Sequence, residues 1–242
     1  MDHNTEISFP PTRWSIVLAA AGKSDVDTSK AMQEICRGYW EPLYGYARKW
    51  GLNPQDAEDR TQDFLITTVN TDLLADAAPS KGKLRTFLLT AFQHDLLDAK
   101  RKDQSQRRGG RAEMIPLETA EIEGLVGRLA STTPESIYDH VWALSTLKKT
   151  VEALGMEYAN SGKAAVFEIL REFLDPGAEP DQSKASEALG LNANALRQAV
   201  FRVRQRFRML LRQQLADTLQ FPDEQQINEE LEAIKAALLV TA

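Results

Sequence analysis

Apolar side chains recur at intervals of three and four along most of the chain, and the Val/Ile/Thr alternation of half-buried strands is absent. Prolines fall mainly between the periodic stretches. The pattern predicts an all-α protein. A short helix is expected at 14–21, after Pro10-Pro11-Thr12, and a longer one at 29–50, kinked or broken at Pro42. Asn53 as cap and Pro54 as first residue open a helix to about Val69. Residues 70–83 read as a loop or short helix, and 84–102 as a helix. Beyond a polar stretch, helical spacing resumes at 136–158, 163–174, a short segment ending at Leu189-Gly190, and 193–219. An acidic amphipathic segment, 224–240, follows Phe221-Pro222. The organisation expected is two helical domains, 1–104 and 136–219, with a flexible linker at 105–135 and a C-terminal tail at 220–242.

The chain of 242 residues is 43% hydrophobic and 26% charged, as expected of a globular protein. Its single cysteine, Cys36, excludes an internal disulfide and fits a reducing compartment. The N-terminus lacks a signal peptide's basic head and apolar core, and no apolar run is long enough to span a membrane. A cytoplasmic protein is expected. The net charge of −6 argues at first against nucleic acid. Its distribution reverses that inference. Residues 191–216 hold six arginines and no acid, and 96–111 hold six basic side chains against two acidic ones. Local basic patches, rather than total charge, are the footprint of DNA binding.

The second basic block lies in a recognisable layout. Ser183–Leu189 forms a short helix with Ala185, Ala188 and Leu189 on one side. Gly190 supplies a tight turn, and Asn192 caps the next helix. This is a helix-turn-helix pattern, although a plain helical hairpin with an arginine-rich face would read similarly. Leu196, Val200, Val203, Phe207 and Leu210/Leu211 recur on the core side. Asn194, Arg197, Gln198, Phe201 and Arg202 fall on other faces near the helix start, where a recognition helix meets base edges. Arginine suits guanine, and Asn or Gln suits adenine, through paired hydrogen bonds. Arg204, Arg206, Arg208 and Arg212 lie further along and suit phosphates.

Two further constellations lie in the first half. In 56–65, Asp56, Asp59 and Asp63 share one face, and Ala57, Thr61, Phe64, Leu65 and Thr68 line the other. Such a ridge could be a solvated surface, a metal site or a docking face for a basic partner. No histidine lies near in sequence, and the residues alone favour a solvated surface. In 83–102, Leu88, Leu89, Phe92, Leu96 and Ala99 form a core stripe, while Phe87, Thr90, His94 and Arg101 share another face. An exposed aromatic among polar and basic residues suits base stacking, and Phe87 as ordinary core is an equal alternative.

Together these segments carry a resemblance. Tyr44–Lys102, with DAEDRTQDF followed by LRTFLLTAFQHDLLDAKRK, resembles region 2 of the extracytoplasmic-function group of bacterial RNA polymerase sigma factors. Residues 183–212, with ALGLNANALRQAVFRVRQR, resemble region 4 of that group, in the same order. The resemblance implies no enzymatic activity, no cofactor and no metal. It implies as partners core RNA polymerase and promoter DNA, with an anti-sigma protein as a further class. It assigns Asp56, Asp59, Gln62, Asp63 and Phe64 to polymerase docking. Lys83, Arg85, Phe87, Thr90, Gln93, His94 and Arg101 fall to an opened −10 element, with 70–83 as the base-capturing loop. Asn194, Arg197, Gln198, Phe201, Arg202, Arg204 and Arg208 fall to a duplex −35 element. The family's Leu-Pro opening of region 4 is replaced here by Ser161-Gly162-Lys163. The competing functions are a stand-alone operator-binding regulator, which leaves 44–102 unexplained, and a helical adaptor without DNA readout. A helical enzyme is a weaker alternative, since three histidines and one cysteine form no legible nucleophile–base pair or metal cluster.

Overall fold

The computed structural model describes residues 26–70, 83–103, 119–175, 177–219 and 222–240. The expected helix at 14–21, nearly all of the 70–83 loop and much of the expected linker lie outside these residues. The described residues are helical, with no strand beyond an isolated antiparallel bridge between Lys83 and Leu219. In chain order the helices are α1 (Val26–Trp50), α2 (Pro54–Asn70), α3 (Leu84–Asp103), α4 (Ala120–Arg128) and α5 (Pro134–Asn160). There follow α6 (Ala164–Leu170), a 3₁₀ turn (Arg171–Leu174), α7 (Gln182–Leu189), α8 (Ala193–Ala216) and α9 (Glu224–Leu238).

The described chain divides into two compact units. One holds residues up to Ser145 and from Leu215 onward, and the other is Thr146–Gln214. The division differs from the expected one in two respects. Its boundaries fall inside α5 and inside α8, and the C-terminal segment belongs with the first unit. Part of the expected linker is also folded. In α4, Ile122 and Leu125 are buried, and Glu123 takes two hydrogen bonds from Arg48 of α1 (2.5 and 2.7 Å) and one from the Tyr44 hydroxyl (2.6 Å). Two glycines and three charges in nine residues dilute the apolar period, which is why the sequence pattern reads as polar connection.

In the first unit the core is aromatic-rich. Tyr39, Leu43, Tyr44, Tyr46 and Ala47 of α1 are buried with Phe64 and Leu65 of α2 and Leu88, Phe92 and Leu96 of α3. Phe92 lies between Phe64 (5.0 Å between ring centroids) and Tyr46 (6.2 Å), in tilted and edge-on contacts that favour aromatic pairs. Helix α1 runs through Pro42, which is itself buried. Val141 and Ile137 of α5 approach Gly45 so closely that a Cβ there would meet their methyl groups at 3.3 and 3.1 Å.

The second unit packs Leu154, Phe167, Leu170, Phe173, Ala185, Leu196 and Val203 into one cluster, with Val200, Phe207 and Leu210 against it. Ala188, expected on the core side of the short helix, is exposed.

Candidate nucleic-acid and partner-binding surfaces

The helix-turn-helix is built by local backbone chemistry. Asp181 caps α7 by accepting hydrogen bonds from the amides of Ser183 (2.9 Å) and Lys184 (3.1 Å). At the other end Gly190 adopts φ +63°, a left-handed conformation that costs other residues about 1–2 kcal/mol. The Leu191 amide then reaches back to the Ser186 carbonyl (2.9 Å) and the Gly190 amide to that of Glu187 (3.1 Å). These paired bonds stop α7 and turn the chain. Asn192 caps the next helix by accepting from the Ala195 amide at 2.8 Å. Ala185 and Leu196 then share the core, which fixes α8 by its inner stripe.

The opposite face of α8 is presented to solvent. Asn194, Arg197, Gln198, Phe201 and Arg202 are all exposed, and Phe201 is 63% exposed. A phenylalanine so solvated has no packing role. Arg197 donates only to the Ala193 carbonyl of its own helix (3.2 Å), and Arg202 and Arg208 have no acidic partner among the described residues. Other arginines of the block are engaged elsewhere. Arg204 donates to the Phe173 carbonyl at 2.9 Å, and Arg206 grips Glu157 with two hydrogen bonds (2.8 and 2.5 Å). That grip holds the Glu157 carboxyl below its ordinary range. The free basic face therefore centres on Arg197, Arg202 and Arg208.

On α2 the faces divide as the spacing predicts. Ala57, Thr61, Phe64, Leu65 and Thr68 are buried, and Asp56, Asp59, Gln62 and Asp63 are exposed. Phe64 is 4% exposed and packs on Phe92, so it supports the ridge from beneath and presents no ring to a partner. Asp56 exchanges two hydrogen bonds with Asn53, its amide donating at 2.9 Å and its carboxylate accepting at 2.7 Å. Asp59 accepts one from Gln55 (3.2 Å), whereas Asp63 projects from the helix centre. Among the described residues, no group of three or more His, Cys, Asp or Glu side chains could hold a metal.

On α3, Thr90, His94 and Arg101 are exposed and Phe87 is half-buried. Gln93 is tied to the Tyr46 hydroxyl (3.1 Å) and Glu135 (3.2 Å). Arg101 pairs with Asp98 on the helix surface (3.0 Å), an arrangement worth little in water. The two cations at the start of the helix are covered. Arg85, 16% exposed, lies 4.6 Å over the Trp142 ring and pairs with Asp139 (2.6 Å) and Glu230 (2.9 Å). Lys83 pairs with Glu230 (2.9 Å) and Glu229 (3.3 Å). Burial opposes the Arg85 charge, but the neighbouring Glu230 and Asp139 carboxylates outweigh it and raise the pKa further. The sequence pattern did not bring Asp139, Trp142 and Glu230 to this place. One signal was available: Ile227, Glu230, Ile234 and Ala237 form a helical stripe with a lone acid in it, and all four are buried.

Among the described residues these features define an all-α arrangement, in which a helix, a glycine turn and a second helix expose a basic face in one unit and an acidic ridge is exposed in the other. No protein-family model matches the chain, and no curated protein or solved structure matches it significantly. No helix among the described residues is long and apolar enough to cross a membrane.

Proposed function

We propose that this chain is a transcription-initiation subunit of the sigma type, which docks on core RNA polymerase and carries it to promoter DNA. The observation that carries this reading is the outer face of α8. A capped helix following a glycine turn presents two unpaired arginines, an asparagine, a glutamine and a solvated phenylalanine, the groups that hydrogen-bond and contact bases in a major groove. Arg208, further along, is suited to the phosphate backbone. The acidic ridge of α2 supports the second half of the reading. Three carboxylates and a glutamine stand on a rigid, well-packed helix, as a docking surface for a basic partner requires. Thr90, His94 and Arg101, beside the half-buried Phe87, supply a polar and basic face for an opened strand.

The test is transcription in vitro with purified core enzyme over a promoter library. A sigma-type subunit directs initiation at defined sites and binds duplex tightly only with core present. Tight, sequence-specific binding of duplex by the chain alone, with no stimulation of core, would instead establish an operator-binding regulator. Absence of DNA binding in both settings would leave an adaptor.

A further inference from the structure

Helix α9 is held to the first unit in an unusual way. Ile227, Ile234 and Ala237 bury its apolar stripe, the Ala237 carbonyl approaches His140 Nδ1 at 2.8 Å, and Ala216, Leu219 and Ile227 form a small cluster beside it. Within that stripe stands Glu230, 1% exposed. A carboxylate so buried is strongly unfavourable unless it is paired, and an apolar residue there would attach the helix as well or better. Its partners are Arg85 and Lys83, and Glu229 adds a second carboxylate to Lys83. The rim stays open to water: Lys83 is 30% and Glu229 48% exposed. Docking of α9 therefore depends on the positive charge of two side chains that a polyphosphate also seeks.

We propose that α9 is an internal competitor for nucleic acid, with Glu229 and Glu230 occupying the cations at the start of α3 that a DNA strand would otherwise engage. Docked α9 and a strand bound at Lys83 and Arg85 are then mutually exclusive. The strand gains the pair only as the helix leaves. Arg85 stays poised for it, because Asp139 and the Trp142 face hold the guanidinium after Glu230 departs. The inference rests on the DNA-binding reading of α3 but not on polymerase docking.

The experiment uses the full chain and a labelled single-stranded deoxyoligonucleotide of mixed sequence at fixed low salt. Removing a competing state raises apparent affinity by the inverse of the competent fraction, so Glu230→Gln should bind roughly tenfold tighter than the parent. The gain should vanish in the Glu230→Gln/Arg85→Ala double variant. Hydrogen exchange across 224–238 should quicken when oligonucleotide binds the unaltered chain, with α1 unchanged. A gain that persists without Arg85 would reduce the effect to net charge and overturn the proposal. So would unchanged or slowed exchange in α9, or no binding by any variant. If Glu230→Gln does not melt cooperatively, the exposed Glu229→Gln must show a smaller gain in the same direction, and none there rejects the mechanism. Failure of the α2 ridge to bind core polymerase would leave these outcomes as they are, so the two readings fail separately.

Discussion

Arg197, Arg202 and Arg208 lie on one helix with the same side chain, yet their positions suit them to different work. Arg197 and Arg202 stand beside Asn194, Gln198 and Phe201 near the helix start, and Arg208 lies almost two turns beyond Arg202. In the proposed role, Arg197→Ala and Arg202→Ala should each lose about 1–3 kcal/mol of discrimination at one or two −35 positions, measured by binding across a promoter library. Arg208→Ala should weaken all sequences alike and lower the salt dependence by about one counterion. Uniform loss from all three would make the whole face a phosphate contact. Arg204 and Arg206 look equivalent to these in sequence. Only the packed unit sets them apart, by directing one to the Phe173 carbonyl and the other to Glu157.

At the scale of elements, α5 and α6 meet at a glycine. A Cβ on Gly155 would stand 2.9 Å from Cε1 of Phe167, a ring that is 4% exposed. Alanine improves helix propensity by about 1 kcal/mol, and the overpacking it forces costs about 1–3 kcal/mol. Gly155→Ala should therefore destabilise the protein by about 1 kcal/mol in denaturant titration, and Gly190→Ala by about 1–2 kcal/mol through its left-handed backbone. A stabilised Gly155→Ala would mean that the Phe167 ring moves freely. The α1–α4 contact makes a prediction about pH. Hydrogen bonds from Arg48, and then from Tyr44, hold the Glu123 carboxyl below its ordinary range. Its stabilising contribution is complete above the unfolded carboxyl pKa of about 4.3 and is lost as pH falls through the lower folded value. Glu123→Gln should be less stable than the parent near neutrality, and the difference should shrink on acidification below about pH 4. Asp139, raised by burial, acts in the opposite sense in both proteins and cancels from the difference. A difference that does not change with pH would show that Glu123 serves only as a hydrogen-bond acceptor.

Across the whole molecule, the acidic ridge and the bare arginine face lie in different units and use opposite charge. In the proposed role they meet different partners, so they should act independently. Asp59→Lys with Asp63→Lys should weaken holoenzyme assembly without changing −35 discrimination, and Arg202→Ala should do the reverse. Combined, their free-energy effects should add within about 0.5 kcal/mol, as for sites that share no partner. Assembly assays and footprinting on one promoter measure both. Unchanged core affinity in a well-folded Asp59/Asp63 variant would return α2 to a solvated surface.

Much of this protein was determined locally and can be read from its residues. The helical class follows from spacing, the boundary at Asn53-Pro54 from capping chemistry, and the turn at Gly190-Leu191-Asn192 from a glycine and a cap. The two faces of α2 follow from period alone, because a helix that buries Ala57, Thr61 and Phe64 must expose Asp59 and Asp63. Tertiary structure decided what local pattern does not encode. Helix α4 exists because Ile122 and Leu125 find a face to cover and Glu123 finds Arg48, although its own sequence is weakly periodic. The partner that covers Phe64 is Phe92 of α3, a contact that the period of neither helix names. Above all, Arg85 and Glu230 stand 145 residues apart in sequence and 2.9 Å apart in the fold. Periodicity reports which face of a helix is buried. It carries no information about which distant charge will be buried against that face, and that pairing is what turns an acidic tail into a cover for the basic start of α3.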